Sequence, residues 1–507
     1  MARAAPQSVN PATMQPIATI DERYQSYNVE MAEVIGGNFW KPYGSLDAAA
    51  RTTPAAPAGA IPQIGQGSAM FEPRPPVNLA DPRLIKLAAA LGPAYVRVSG
   101  TWANSAYFQN SDDAPLKTPP TGYQGVLTRR EWAGVIGFTK VVDAKLVTSF
   151  SISAGVRDKD GRWTPREAQP LLAYTNSIGG QIAAAELFNE PTIAAMGGAP
   201  TGYDATSFAR DIAAFRAFAK TAAPAMQIVG PGSVGEGVAV VPASVPKLKT
   251  EDLLSASPRP VFGVFSYHFY GAASMRCASM GAEMMTSEAA ALSNDWLSRT
   301  DKVFAFYKAL RDRFEPGRPI WVTETADAAC GGNPWAPTFL DSFRYLDQLG
   351  RLARHGVKAV FHNTLASSEY GLIDQATMVP RPNYWAALLW RQLMGTTVLN
   401  AESSNADLRL YAHCMRGRPG GVTVLAINTS RTQAASLDLP SASTGYTLTA
   451  RQLSDRTVQL NGQDLAVAAN GDVPTLGGEP VPAGARELGP ASITFLTFPD
   501  APNKSCR

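Results

Sequence analysis

Residues 183–190 read Ala-Ala-Ala-Glu-Leu-Phe-Asn-Glu, and Pro191 follows. A short apolar run climbs to a carboxylate and is then stopped. Proline has no N–H to give to a neighbouring strand and fixes its own φ, so it ends the run and turns the chain, aiming Glu190 into the mouth of the fold. Working outward, comparable runs recur at 94–100 (AYVRVSG), 145–152 (KLVTSFSI), 227–234 (QIVGPGSV), 261–270 (VFGVFSYHFY), 319–326 (PIWVTETA) and 358–365 (KAVFHNTL). An earlier run, 26–33 (SYNVEMAE), makes an eighth. Amphipathic stretches lie between them. In 207–220, Phe208, Ile212, Phe215 and Ala219 fall on one helical face. Similar stretches cover 293–313, 338–356 and 384–395, with Gly395 placed to cap the last. Eight strands alternating with helices predict an α/β fold, a (β/α)8 TIM barrel. A doubly wound open sheet alternates in the same way, but no GxGxxG follows any early strand.

The texture changes after about residue 396. LRLYAHCM, GVTVLAINT, YTLTARQL, TVQLNG and ASITFLTF are short, strand-like and separated by Gly, Pro, Asn and Ser. They predict a C-terminal β-sandwich, whose sheet can recruit an N-terminal strand near 15–24. The organisation expected is an N-terminal segment over 1–24, a catalytic barrel over 25–395 and a sandwich over 396–507. The Ala/Pro/Gly-rich stretch 48–68 reads as a loop.

Composition narrows the function. With 507 residues, 45% hydrophobic and 17% charged, the chain can bury a large core. A net charge of +3 excludes a surface that grips a polyanion throughout, so no nucleic-acid partner is expected. No apolar run is long enough for a transmembrane helix, and MARAAPQSVNPATM lacks the apolar core of a signal peptide. The 4 cysteines form no CxxC pair and only 4 histidines accompany them, so neither a metal nor a cofactor is expected. By spacing alone, the cysteines fit two disulfides or four buried thiols.

Two strand ends carry a glutamate: Leu187-Phe188-Asn189-Glu190-Pro191 and Trp321-Val322-Thr323-Glu324-Thr325. They close the fourth and seventh strands. A carboxylate buried at a strand end is unfavourable unless paired or used. Two of them across a barrel mouth are the equipment for glycosidic cleavage: one protonates the leaving oxygen, the other attacks the anomeric carbon or activates water. The plainer alternative, a helix cap or an arginine partner for each, explains less of their shared position on one rim. The glycosidase reading requires that the two face one another across a sugar-sized gap and that neither is locked in a permanent ion pair. Tyr267-His268-Phe269-Tyr270 closes the sixth strand; Tyr267 and Phe269 read as packing, His268 and Tyr270 as inward groups that hold the nucleophile or a sugar hydroxyl. No GxSxG elbow and no Walker A loop is present.

An ordered series of motifs runs through nearly the whole chain: Asp81-Pro82-Arg83, Pro93-Ala94-Tyr95-Val96-Arg97, Gly100-Thr101, Glu186 through Pro191, Glu324-Thr325, Gly331-Gly332, Leu346-Asp347-Gln348-Leu349-Gly350, Tyr370 through Asp374, Pro382-Asn383-Tyr384-Trp385, Leu410 through Cys414 and Val458 through Gly462. This series resembles the heparanase and β-glucuronidase family, glycoside hydrolase family 79, and within it the bacterial heparanases. The resemblance implies a barrel plus sandwich and a retaining mechanism, with Glu190 as acid/base and Glu324 as nucleophile. Asn189 would touch the hydroxyl beside the anomeric carbon, and the charge of Glu324 would keep Glu190 protonated. Tyr370 and the amides of Cys330 and Gly331 would grip the glucuronate carboxylate, the kind of nest that suits an anion. Glu30, one methylene longer than the family's aspartate, Thr101 and His362 match further sugar-contacting positions. Cys414–Cys506 matches a family disulfide. Cys277 and Cys330 follow neighbouring strands, so a second bridge is expected there, and disulfides point to a secreted or periplasmic protein; a monomer is expected.

The implied activity is an endo-β-glucuronidase acting on heparan sulfate. The alternatives are an exo-β-glucuronidase releasing terminal glucuronate and, from another class, a non-catalytic glycan-binding protein. No cleavable insert lies between Thr101 and Leu127, so the chain is expected to act uncut. The family's basic clusters are thinned to Lys117, Arg129 and Arg130 and to Lys247 and Lys249, with Arg157, Lys159 and Arg162 as compensating candidates.

Overall fold

A computed structural model describes residues 6–45, 70–243 and 245–507. The loop expected over 48–68 lies outside the described residues.

Eight parallel strands close into a barrel: β1 (Gln25–Glu30), β2 (Ala94–Ser99), β3 (Ala144–Ser149), β4 (Ile182–Glu186), β5 (Gln227–Ser233), β6 (Val264–Tyr270), β7 (Ile320–Ala326) and β8 (Ala359–His362). Neighbours follow chain order and β8 pairs with β1. Helices follow the strands on the outside: α1 (Pro82–Ala90), α2 (Arg129–Val141), α3 (Ala168–Ser177), α4 (Ala205–Ala222), α5 (Thr250–Ser255), α6 (Asn294–Phe314), α7 (Phe339–Arg354) and α8 (Pro382–Leu393). The strands are buried on both faces, which is why they read as near-continuous apolar runs. Alternation decides which face each residue takes. In β2, Val96 and Val98 pack outward among the helices. Tyr95 points inward with Val147, Ala184, Val229, Val264, Trp321, Ala359 and Phe361, and together they fill the barrel's interior.

Several boundaries differ from the sequence expectation. The first strand ends at Glu30, and Met31–Ile35 form a short helix. The fourth strand ends at Glu186, so Glu190 sits on the turn beyond it. Gly395 caps no helix. It lies in β9 (Met394–Leu399), where a Cβ would come within 2.5 Å of the Cys414 carbonyl oxygen.

The C-terminal part is a layered β structure. Its large antiparallel sheet runs from residues 16–19 through β9, β10 (Leu408–Met415), β11 (Val422–Asn428), β15 (Ser492–Phe498) and β13 (Ser443–Thr449). A small sheet combines residues 7–8, β12 (Ala435–Leu439) and β14 (Gly484–Leu488). Period-two alternation serves both faces of the large sheet. Val422, Val424 and Ala426 face the small sheet, whereas Leu425 and Ile427 join the barrel core. Gly350 of α7 lets the sheet come close, since a Cβ there would meet the Tyr411 ring at 2.4 Å. The Tyr411 hydroxyl then donates to buried Asp347 at 2.6 Å. Disulfides join Cys414 to Cys506 and Cys277 to Cys330. Among the described residues no helix is long and apolar enough to cross a membrane.

Candidate active site

Above the apolar interior layer of the barrel comes a polar one. Arg97 projects inward from β2 and donates to Glu186 at 2.8 Å, to Asn189 at 2.7 Å and to Glu324 at 3.0 Å. Glu186 also accepts from Ser266 at 3.0 Å and Thr323 at 2.8 Å. A cation and two carboxylates that are each almost fully buried satisfy one another, which makes their burial tolerable. Burial alone would raise the Glu186 carboxyl, but the Arg97 guanidinium holds it below the usual range.

Glu324 reaches this layer through an irregularity. Trp321 faces inward, so strict alternation would send Glu324 outward. The pairing of β6 with β7 shifts register between Val322 and Glu324, bringing Thr323 and Glu324 both inward. This local bulge re-aims a side chain at the site. One Glu324 oxygen accepts from Arg97 and the other from the Tyr270 hydroxyl. The requirement that neither carboxylate sits in an ion pair was therefore too strict. Arg97 divides its charge between Glu186 and Glu324, and each Glu324 oxygen, accepting one hydrogen bond, keeps a second lone pair. Glu324 still lines the open cavity.

Glu190 takes a left-handed backbone conformation, φ 58° and ψ 60°, immediately before Pro191. Asn104 locks the preceding residue, donating to the Asn189 carbonyl and accepting its N–H, each at 3.0 Å. His268 Nδ1 lies 3.0 Å from Glu190 Oε1 and its Nε2 lies 3.4 Å from Arg97. Arginine has only donors, so Nε2 is the acceptor and Nδ1–H donates to Glu190. Burial lowers the His268 pKa to about 4, keeping the ring neutral. Burial raises the Glu190 carboxyl to about 7, opposed by Arg97 and assisted by Glu186. The expected cause, repulsion from Glu324, is thus replaced by desolvation.

One oxygen of Glu190, one of Glu324 and a His268 nitrogen lie within 4.8 Å of one another. Their spacing suits a cation in principle, but Arg97 already supplies a fixed positive charge at Glu324.

The cavity over these groups encloses about 690 Å³ including its open mouth. Glu30, Thr101, Tyr270, Cys330 and Tyr370 are in its wall with the two glutamates. Asn189, His268, Gly331 and His362 are not among its lining residues. Asn189 is held by Arg97, and His362 donates to the Tyr370 carbonyl at 2.6 Å. Asn363 donates to both the Tyr270 and Tyr370 hydroxyls, at 3.1 and 3.2 Å. Burial, then the charge of Glu324, holds the Glu30 carboxyl well above the usual range. Of the compensating basic candidates, Arg157 is unavailable because Asp211 and the Ile152 carbonyl consume it. Arg97, Glu186 and Asn363 were given no role from sequence. Charges in the middle of YVRVS and AAAELF were the signal for the first two, because a buried strand carries a charge only with a partner.

The N-terminal domain model of glycosyl hydrolase family 79 matches residues 77–350, more than half of the chain. The chain belongs to glycosyl hydrolase family 79. It is 28% identical to heparanase-like protein 1 of Arabidopsis thaliana over 492 residues, covering 85% of this chain and 86% of that one. It is 26% identical to heparanase of Mus musculus over 509 residues, covering 86% and 89%. A 4-O-α-L-rhamnosyl-β-D-glucuronidase from Fusarium oxysporum shares the fold at a TM-score of 0.63 and 14% identity, covering 98% and 99% of the two chains. As a family 79 member the protein is a glycoside hydrolase of the β-glucuronidase and heparanase kind, and its substrate is a glycan.

Proposed function

We propose that this family 79 enzyme is a retaining endo-β-glucuronidase that cleaves glucuronate–glucosamine linkages in heparan sulfate, outside the cytoplasm and as a monomer. The observation that carries the retaining reading is the approach of one Glu190 oxygen to within 4.8 Å of one Glu324 oxygen. Retaining pairs stand roughly 5–5.5 Å apart, whereas inverting pairs need about 6.5–9.5 Å to admit water. Arg97 and Tyr270 stabilise Glu324 as an anion, the form that attacks the anomeric carbon. Glu190, whose pKa is raised to about 7, delivers its proton to the leaving oxygen and then, as a carboxylate, takes one from the incoming water. His268 keeps the Glu190 side chain in place by donating to Oε1. Tyr370 with the Cys330 and Gly331 amides receives the glucuronate carboxylate, and Glu30 and Thr101 meet sugar hydroxyls. No step calls for a cofactor or metal.

The endo reading is supported by the shape of the cleft. A second depression of about 1250 Å³, open mouth included and with Lys117 in its lining, shares Thr101 and Trp102 with the catalytic cavity. A glycan therefore has a path beyond the glucuronate. The likeness to mouse heparanase supports heparan sulfate. The similar proteins reported above come from a plant, a mammal and a fungus, so the likeness to bacterial heparanases rests on the sequence motifs alone. Two disulfides support an oxidising compartment. Incubation with heparan sulfate and sizing of the products is the test. Mid-chain fragments are expected; released monosaccharide would favour exo action, and an unchanged polymer would favour binding alone.

A further inference from the structure

The cavity presents a carboxylate-sized problem without a cation to solve it: neither lysine nor arginine is among its lining residues. The loop after β7 offers an alternative. Cys330, Gly331 and Gly332 adopt successive positive φ values of 63°, 79° and 82°. Their carbonyls are all turned to donors. Cys330 O accepts from Ser274 Oγ at 2.8 Å and from Arg276 at 3.3 Å; Gly331 O accepts from the Glu369 amide at 3.3 Å; Gly332 O accepts from Arg276 at 2.8 Å and the Tyr43 hydroxyl at 3.0 Å. The amides at either end are also used, Ala329 N–H on the Ala272 carbonyl and Asn333 N–H on Asp327. The three amides between, of Cys330, Gly331 and Gly332, have no acceptor among the described residues. A peptide whose C=O groups are pinned on one side leaves its N–H groups for an anion on the other.

Arg276 is the common element. Its side chain is fully buried. It forks onto the Cys330 and Gly332 carbonyls, donates from Nε to the Lys41 carbonyl at 2.8 Å, pairs with Glu369 and lies 3.9 Å over the Tyr43 ring. The neighbouring residue, Cys277, is disulfide-bonded to Cys330 itself. We propose that Arg276, with the Cys277–Cys330 disulfide and Tyr43, is a positioning residue that holds the Cys330–Gly332 loop as a three-amide receptor for the substrate carboxylate. The proposal rests on the carboxylate-grip reading above and extends it to a third amide and to the device that shapes it. Arg276 touches no substrate. It sets specificity by fixing peptide orientation and by polarising the two carbonyls it binds.

The test compares 4-nitrophenyl β-D-glucuronide with 4-nitrophenyl β-D-glucoside, which differ only at the carboxylate. A charge-assisted hydrogen-bond network lost from the grip should raise KM for the glucuronide about 10- to 100-fold in Arg276→Met. Glucoside kcat/KM should stay within about twofold, because its hydroxymethyl group makes no such demand. The double variant Cys277→Ser with Cys330→Ser should lose glucuronide preference in the same sense. Tyr43→Phe, which removes one hydroxyl and leaves the core intact, should give a smaller selective loss and decides the matter if the other variants fail to fold. Equal losses on both glycosides, or no loss of preference in any folded variant, overturn the proposal. If Tyr370→Phe abolishes the preference while the Arg276 variant keeps it, the clamp alone is wrong. If the wild type turns over both glycosides alike, the grip reading fails and the clamp with it.

Discussion

Replacing Glu190 by Gln tests the acid role and its physical origin together. Glu190 has a side chain 10% exposed and a pKa raised to about 7, chiefly by burial. At pH 5 such a group is about 99% protonated, while a carboxyl at the ordinary 4.5 is only about 24% protonated. The folded state therefore holds this proton more tightly than the unfolded chain does. The stability it contributes is fully present below pH 4.5 and is lost as pH rises through about 7. Charging the group at pH 8 costs on the order of 3 kcal/mol, because burial has moved its pKa from the ordinary 4.5 to about 7. Gln cannot ionise, and its carbonyl still accepts from His268. Glu190→Gln should therefore be more stable than wild type at pH 8, by up to about 3 kcal/mol in denaturant unfolding, and nearly equal at pH 5. In kinetics, kcat/KM of the wild type should fall above pH 7 and that limb should vanish in the variant. Turnover of the polymer should drop about 10²- to 10⁴-fold, with a smaller loss in glycosylation by an aryl glucuronide whose leaving group needs no proton. A stability difference independent of pH, or an alkaline limb that survives the substitution, would refute the reasoning.

Glu324→Gln should remove turnover of activated and natural substrates alike, because no leaving group replaces a missing nucleophile; unchanged kcat on the aryl glucuronide would refute the role. Arg97→Leu leaves Glu186 and Glu324 buried without their cation and should destabilise by about 3–5 kcal/mol in equilibrium unfolding. Part of that loss should return in the double variant Arg97→Leu with Glu186→Leu, which removes one stranded charge. Cys414→Ala with Cys506→Ala opens a 92-residue loop and should cost about 2–5 kcal/mol, seen as a lower denaturant midpoint with active-site kinetics unchanged.

The barrel was legible because its strands are buried on both faces and separated by amphipathic helices, so apolar runs and helical periodicity marked each in turn. The strand-end glutamates were legible because a buried carboxylate stands out against such runs. What sequence could not convey was local geometry. Nothing in Trp321-Val322-Thr323-Glu324 announces the bulge that turns Glu324 inward. Gly395 looked like a helix cap because glycine after an amphipathic stretch has that meaning more often than close approach to a neighbouring strand. His268 and His362 were expected to touch sugar, yet Glu190 and Arg97 take up the first and the Tyr370 carbonyl the second; motif position identifies a neighbourhood, whereas burial decides who faces the cavity. Arg276 lies in no strand and no motif, and its importance comes wholly from the carbonyls that converge on it.

The large β sheet has a temporal consequence. Its outer strand is residues 16–19, which pair with β9 nearly 400 positions later, and Asn503 closes the same corner by bonding the Pro11 and Met14 carbonyls. During synthesis the earliest of these segments must wait, unpaired, until the whole barrel and most of the sheet have been made. Excising everything after residue 393 as a separate module would leave the β9 edge bare and ready to seize another chain.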